Sequence, residues 1–341
     1  MARDVESFQS LRGSLSRSLR QEAHIPVIID ERNVMTEKNE QRFFPAGTAT
    51  KILTINKLER LFTQVTAADP TIELQPRWLA QKADRRELHV FLATLIISNC
   101  NLDVLESFTQ KIVAQGTVGH SLWNLPIEGL VYLKNILGGD EVAADDFHRH
   151  QYDFLAPVIE KNNEIKGNFQ RLPFLSEVLI GEGSFGKIYK VVISPNHFRF
   201  DSSSINDREL TLARKQFLLE ADTHAHENER KVLLDIVRNS KKSINIMEGW
   251  GSLEFGSTFS LFMPLAICDL QQFMERNPSP PTLPKEKAVF VERAIGLAGA
   301  IVFLHEELES PVYEKFSCFH MDLKPQNILV VNDEVTEAIR F

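Results

Sequence analysis

A chain of 341 residues exceeds one ordinary hydrophobic core and predicts two domains. Its 43% hydrophobic and 25% charged residues match a soluble globular protein. A formal net charge of −8 with no basic block argues against a nucleic-acid partner.

Cys100, Cys268 and Cys318 are widely spaced and form no C-x-x-C pair, as expected of reduced thiols in an intracellular protein of cytoplasm or nucleus. The N-terminus carries Arg3, Arg12, Arg17 and Arg20 without the apolar stretch of a secretory signal. The longest apolar runs, such as 90–97, read as far short of a membrane span, so no membrane association is expected.

Residues 1–45 are polar and mixed in charge, with Ser7, Ser10, Ser14, Ser16 and Ser18 close together, and read as a flexible N-terminal arm. Residues 46–146 read as an all-α module. Ile55, Leu58, Leu61 and Phe62 share a helix face, a second helical stretch covers 77–98, and Leu102, Leu105, Phe108 and Ile112 mark a third. Gly138-Gly139-Asp140 and the acidic run to Asp146 break the pattern. His89, His120, His148 and His150 are scattered, and His148-x-His150 alone is too little for a metal site. The module therefore packs, or binds a protein partner. Residues 147–171 read as a linker.

A second domain covers 172–341. It opens into Ile180-Gly-Glu-Gly-Ser-Phe-Gly-Lys-Ile-Tyr-Lys-Val191, which sets Gly181, Gly183 and Gly186 at G-x-G-x-x-G spacing around Ser184 and Phe185. Glycine lets the backbone turn tightly and bring N–H groups close to phosphate oxygens. A dinucleotide-binding turn opens a helix, whereas residues 187–193 have strand composition. The loop is thus expected at the tip of a hairpin folded over a nucleotide.

The polar stretch 194–209 reads as an inserted loop, and 210–217 as a strand carrying Lys215. A lysine there suits phosphate neutralisation, although most strand lysines simply face solvent. In the helical stretch 226–234, Glu229 is placed to turn inward toward Lys215, with Glu220 and Glu227 as rivals. Residues 259–267 read as a strand whose Pro264 suits a strand end or hinge. A helix start follows from Asp269, then a loop marked by Pro278, Pro280, Pro281 and Pro284. The helix 292–308 is apolar nearly all round and is expected to be buried. In Phe319-His-Met-Asp-Leu-Lys-Pro-Gln-Asn-Ile-Leu-Val330, Asp322 suits acceptance of a hydroxyl proton. Lys324 there suits a transferring phosphate, and Asn327 a metal ion.

Together and in this order, the glycine loop, Lys215, Glu229 and the HMDLKPQN run resemble the protein kinase catalytic domain over roughly 172–341, in its serine/threonine form. The resemblance implies an α+β fold. A small lobe at about 172–266 would hold an antiparallel sheet plus one helix, followed by an incomplete helical large lobe at 267–341. It implies ATP and Mg2+ as cofactors and a protein serine or threonine as acceptor. Gly181, Gly183, Ser184, Phe185 and Gly186 would cover the nucleotide, with its base at the hinge near Met263 and Ala266. Lys215, held by Glu229, would meet phosphate oxygens; Asp322 and Lys324 would be catalytic and Asn327 a metal ligand. A helical module before such a domain is also similar to kinase-like proteins of filamentous fungi.

Two departures accompany the resemblance. Met321 stands where the family usually has an arginine that pairs with an activation-loop phosphate. The DFG motif is expected about a dozen residues beyond Asn327, but the sequence runs from Asn332 to Phe341 without it, and Arg340 takes the aspartate's place if the spacing is tight. The sequence is therefore expected to be truncated and to transfer little or no phosphate by itself. The alternative is a pseudokinase-like nucleotide-binding or scaffold protein.

Overall fold

Leu11, Leu15 and Leu19 recur four residues apart, so α1 (Phe8–Gln21) presents one apolar stripe, capped by Ser7, whose hydroxyl accepts the Ser10 amide at 3.3 Å. A computed structural model describes residues 7–30, 34–68, 74–114, 125–167, 169–183, 186–201, 204–218, 245–308, 317–320, 322–333 and 338–340. In it α1 is followed by α2 (Thr48–Ile52), α3 (Ile55–Ala68), α4 (Pro76–Arg85), α5 (His89–Ile97), α6 (Leu102–Phe108), α7 (Leu130–Ile136) and α8 (Glu141–His150). Because α5 is apolar all round, it sits at the centre of the bundle, where Phe91 stacks on Phe108 with ring centroids 4.5 Å apart and packs on Phe147 at 4.3 Å.

Three local readings change here. Residues 8–21 are not a loose arm: Leu11, Leu15 and Leu19 are buried in the same core as Leu58, Leu92 and Phe147. The stretch 77–98 is two helices, because Glu87 takes a left-handed conformation (φ 54°) between α4 and α5. The acidic run after Gly139 is itself helical: Asp140 caps α8 through the Ala143 amide at 2.9 Å, and acidic side chains favour a helix N-terminus.

The second core lies against a sheet. Its strands are β1 (Val27–Ile29), β2 (Met35–Glu37), β3 (Ile159–Glu160), β4 (Glu164–Ile165), β5 (Phe174–Gly183), β6 (Gly186–Ile193), β7 (Phe198–Arg199), β8 (Leu210–Leu218), β9 (Gly251–Phe255) and β10 (Thr258–Pro264). Eight of them form one sheet in the order β2-β1-β5-β6-β8-β10-β9-β4, and β3 pairs separately with β7. The central five, β5-β6-β8-β10-β9, are antiparallel throughout, while β1 joins β5 and β4 joins β9 in parallel. Phe174, Val191, Ile193, Leu212, Leu253 and Phe262 line one face of the sheet and bury Ile159 and Phe198 with them.

The segment expected to be a linker is therefore structural. Phe147 belongs to α8, and β3 and β4 both enter sheets. The polar stretch after β6 likewise contains β7, where Phe198 is fully buried. Module and sheet are joined by specific contacts. The Ala46 amide donates to His197 Nε2 beside β7 at 2.9 Å, while within the module the Phe44 amide donates to the Asp153 carbonyl at 2.7 Å. Asp153 also pairs with Arg42 at 2.9 Å and with Arg171 at 3.1 Å.

Beyond the sheet, β11 (Cys268–Asp269), β12 (Leu329–Asp333) and β13 (Ala338–Arg340) form a small antiparallel sheet. Among the described residues two α-helices lie between β11 and β12: α9 (Leu270–Arg276), capped by Asp269, and α10 (Pro284–Val302). The helix expected to be buried is mostly exposed. Of α10 only Ala300 is buried, and Val289, Phe290, Val291, Ile295 and Val302 face solvent, while the end of the expected helix does bury Phe303, Leu304 and Leu308. The run Pro284–Glu307 is also long and apolar enough to cross a membrane by length and composition, which the reading of the apolar runs overlooked.

Candidate nucleotide and catalytic site

The glycine-rich segment is the tip of a hairpin, with Gly183 paired to Gly186 across the β5–β6 ladder. Gly186 has φ +124°, and a side chain there would run into the Gln216 carbonyl on β8. Gly181 is different. Its nearest neighbour to a built side chain would be Ile188 at 3.9 Å, so close backbone packing does not require glycine there. Lys187 and Glu182 form an ion pair of 3.3 Å next to the tip. Ser184 and Phe185 lie outside the described residues, as do Glu229 and Met321.

Lys215 lies on β8, the third strand of the meander, directly across from Ile188 on β6 and Leu261 on β10. Strand alternation puts Ala213 and Lys215 on the face opposite the Phe174–Phe262 core, with Met263 beside Ala213. The lysine is half-buried, with Nζ 5.2 Å from the Phe217 ring centre. A cation so placed lies on the strand that pairs with the outgoing arm of the glycine hairpin.

Residues 265–267 connect this sheet to the strand that follows the 319–327 run. β10 ends at Pro264, residues 265–267 cross over, and β11 begins. There the Ile267 amide donates to the Val330 carbonyl and the Leu270 amide to the Ile328 carbonyl, each at 2.8 Å. The strand leaving Asn327 is thus stitched beside the chain leaving Met263 and Ala266.

Within the run, Asp322, Lys324 and Asn327 come together. Lys324 Nζ lies 2.8 Å from Asp322 Oδ2, and the Asn327 amide donates to the same oxygen at 2.9 Å and to the Asp322 carbonyl at 2.8 Å. The Lys324 hydrogen bond, joined by that of Asn327, holds the Asp322 carboxyl below its ordinary value. The one-turn helix Pro325–Asn327 forms this loop because Pro325 fixes its first φ. The cluster is exposed: the Asp322 and Lys324 side chains retain 61% and 49% of their accessible surface.

Magnesium takes one or two carboxylates with waters and phosphate oxygens, so a partial donor set can suffice when nucleotide is present. With its NH2 turned to Asp322, Asn327 keeps a side-chain oxygen for such an ion, and the Asp322 carboxylate is adjacent. Among the described residues no group of three or more His, Cys, Asp or Glu side chains forms a metal cage. His148 and His150 turn instead to Glu128 (3.6 Å) and Asp153 (3.1 Å).

One pair in the sheet was missed by sequence reasoning. Arg214, next to Lys215, is buried and reaches Glu177 at 2.6 Å. The signal was present, since a charged residue two places after Leu212 in an alternating strand falls on the core face.

No family model matches the chain. The LRR receptor-like serine/threonine-protein kinase EFR of Arabidopsis thaliana is 30% identical to it over an alignment of 180 residues that covers 49% of this chain. Part of this chain is similar to a serine/threonine protein kinase. The chain spans 15% of that relative's length.

Proposed function

We propose that this chain supplies the nucleotide-binding lobe and catalytic loop of a serine/threonine protein kinase. The observation that carries the reading is the Asp322–Lys324–Asn327 cluster, whose outgoing strand is stitched beside the hinge from the Lys215 sheet. The partial similarity to a plant serine/threonine kinase supports it. In this reading Gly181, Gly183 and Gly186, with Ser184 and Phe185, cover Mg-ATP, and Met263 and Ala266 receive the base. Lys215, steadied by Glu229, neutralises phosphate oxygens. Asp322 orients the acceptor hydroxyl for in-line transfer, Lys324 offsets charge on the transferred group, and Asn327 gives its oxygen to Mg2+.

A second reading, nucleotide binding without transfer, draws support from the Lys324 ion pair that occupies the Asp322 carboxylate. Titrating the 341-residue chain with Mg-ATP by calorimetry, beside Lys215→Met, tests the shared part. Binding lost in the variant at unchanged melting temperature supports both readings, and no binding by the parent chain removes both. Phosphorylation of a mixed Ser/Thr peptide pool by the natural full-length protein, lost in Asp322→Asn, selects the kinase. Binding with no transfer by that protein selects the second reading.

A further inference from the structure

Glu177 on β5 and Arg214 on β8 touch across an intervening strand. In the ladders Leu179 faces Tyr189, which faces Arg214, so Glu177 is displaced from Arg214 by two residues along the sheet. The Arg214 side chain runs diagonally over the Tyr189 ring, 4.6 Å from its centre, to bring Nη2 within 2.6 Å of Glu177 Oε2. The Phe174 ring lies 5.2 Å from the guanidinium on another side, and Nη1 donates to Ser260 on β10 at 3.4 Å. Arg214 is 4% exposed, and its Nε has no hydrogen-bond partner among the described residues. Outside Glu177 lies β1, with Ile28 opposite it.

A charge pair buried this deeply is poor stabilisation, because desolvation offsets most of the attraction. What such a pair does supply is register. Backbone ladders repeat every two residues, so β5 and β6 could slide by one repeat along β8 and keep their alternation. Such a slip would carry the glycine hairpin about 7 Å along the strand that bears Lys215. A slip toward Leu210 would also pull Glu177 away from Arg214 and leave both charges buried and unpaired, whereas a slip toward Leu218 would bring Glu177 level with Arg214.

We propose that the Glu177–Arg214 pair is a positioning device that keeps the glycine hairpin from slipping back toward Leu210, out of its register over Lys215. It rests on the nucleotide-binding reading for its functional meaning, but its mechanical content is separate. Neither residue touches the nucleotide face, since both lie on the opposite side of the sheet from Lys215.

The test uses the full 341-residue chain and two variants, Glu177→Leu/Arg214→Met and Arg214→Lys. The double variant replaces both charges with apolar groups of similar size, which preserves stability when buried pairs are removed together. Hydrogen exchange of the amides at 181–190 is read without nucleotide, and ATP affinity by calorimetry. In the double variant the hairpin amides are expected to exchange about tenfold faster, and ATP to bind about tenfold more weakly, at a melting temperature close to the parent's. Arg214→Lys keeps the charge but not the planar fork that spans Glu177 and Ser260, and is expected to show the same change in smaller degree. It carries the test if the double variant does not fold. Parent-like hairpin exchange in the folded variants overturns the proposal. Faster hairpin exchange in a chain whose parent form binds no ATP leaves the register device standing and removes the nucleotide reading instead.

Discussion

Asn327 reaches back five residues and donates its side-chain amide to both the main-chain carbonyl and the carboxylate Oδ2 of Asp322, at 2.8 and 2.9 Å. Lys324 approaches the same Oδ2 at 2.8 Å, so one carboxylate oxygen is held from two sides in an otherwise exposed loop. Both donors favour the ionised form, and Lys324 is the stronger. Carbon-detected NMR titration of Asp322 is therefore expected to give a midpoint below the usual Asp value of about 3.9. The midpoint should rise in Asn327→Leu and rise further in Lys324→Met. An unchanged midpoint in both variants would show that the cluster does not persist in solution.

Two glycines of the hairpin differ in what they require. At Gly186 the backbone sits at φ +124° and faces the Gln216 carbonyl, whereas at Gly181 there is room for a methyl group. Gly186→Ala is expected to cost about 1–3 kcal/mol, because a non-glycine residue must hold a sparsely populated conformation and push β8 away. Gly181→Ala should change stability by less than about 0.5 kcal/mol. Urea unfolding of the two variants makes the comparison, and equal losses would contradict the asymmetry.

The hairpin, Lys215 and the 322–327 loop were legible in the sequence because each is local: glycine spacing, strand alternation and a proline-fixed turn act within about ten residues. The α+β class followed from the same features. What escaped depends on distant partners. Ser-rich polarity hid the four-residue leucine repeat of α1, whose burial is decided by α5, some 70 residues away. Residues 147–165 look like a linker until β9 supplies the neighbour for β4. The apolar composition of α10 promised burial, yet Phe290 and Ile295 are 50% and 66% exposed, since composition states a demand for a partner and not its presence. Arg214 was passed over because its carboxylate lies two strands away in space and 37 residues away in sequence.

Asp153 is the polar centre of the junction between helices and sheet. It is 2% exposed and accepts Arg42 at 2.9 Å and Arg171 at 3.1 Å, with His150 Nδ1 also at 3.1 Å. Asp153→Ala leaves two arginines facing a void and is expected to cost about 3–5 kcal/mol. Burial pushes the Asp153 carboxyl up, but hydrogen bonds from His150 and Arg42 and the nearby arginine charges outweigh it and hold the group below its ordinary value. A depressed carboxylate contributes stability above its unfolded value, about 3.9, and loses it as pH falls through the folded value. By its own titration Asp153 should therefore matter little to the pH dependence above pH 5. Chemical denaturation of Asp153→Ala and the parent between pH 8 and 9, above the ordinary histidine value of about 6.5, should give two curves separated by a constant amount. Convergence of the curves in that window would show that the charge is not held as described.

His197 governs the milder acid range. Its Nε2 accepts the Ala46 amide at 2.9 Å and its Nδ1 lies 2.9 Å from the Pro157 carbonyl, so the ring is neutral, with its hydrogen on Nδ1. Burial lowers its pKa to about 4, against a weaker opposing effect of the backbone hydrogen bonds. The unfolded chain takes up this proton near pH 6.5 and the folded chain does not, so stability falls as pH drops from about 6.5 toward 4. The loss approaches about 3 kcal/mol at the acid end, at 1.36 kcal/mol per pKa unit. His197→Gln keeps an acceptor for Ala46 and removes this titration, so its unfolding free energy should fall less steeply over the same range than the parent's. His24 and His89, whose pKa values burial also lowers, add an acid slope to both proteins. Parallel pH profiles for the two proteins would mean that protonation at another site drives the acid response, and that His197 remains accessible to its proton in the folded chain.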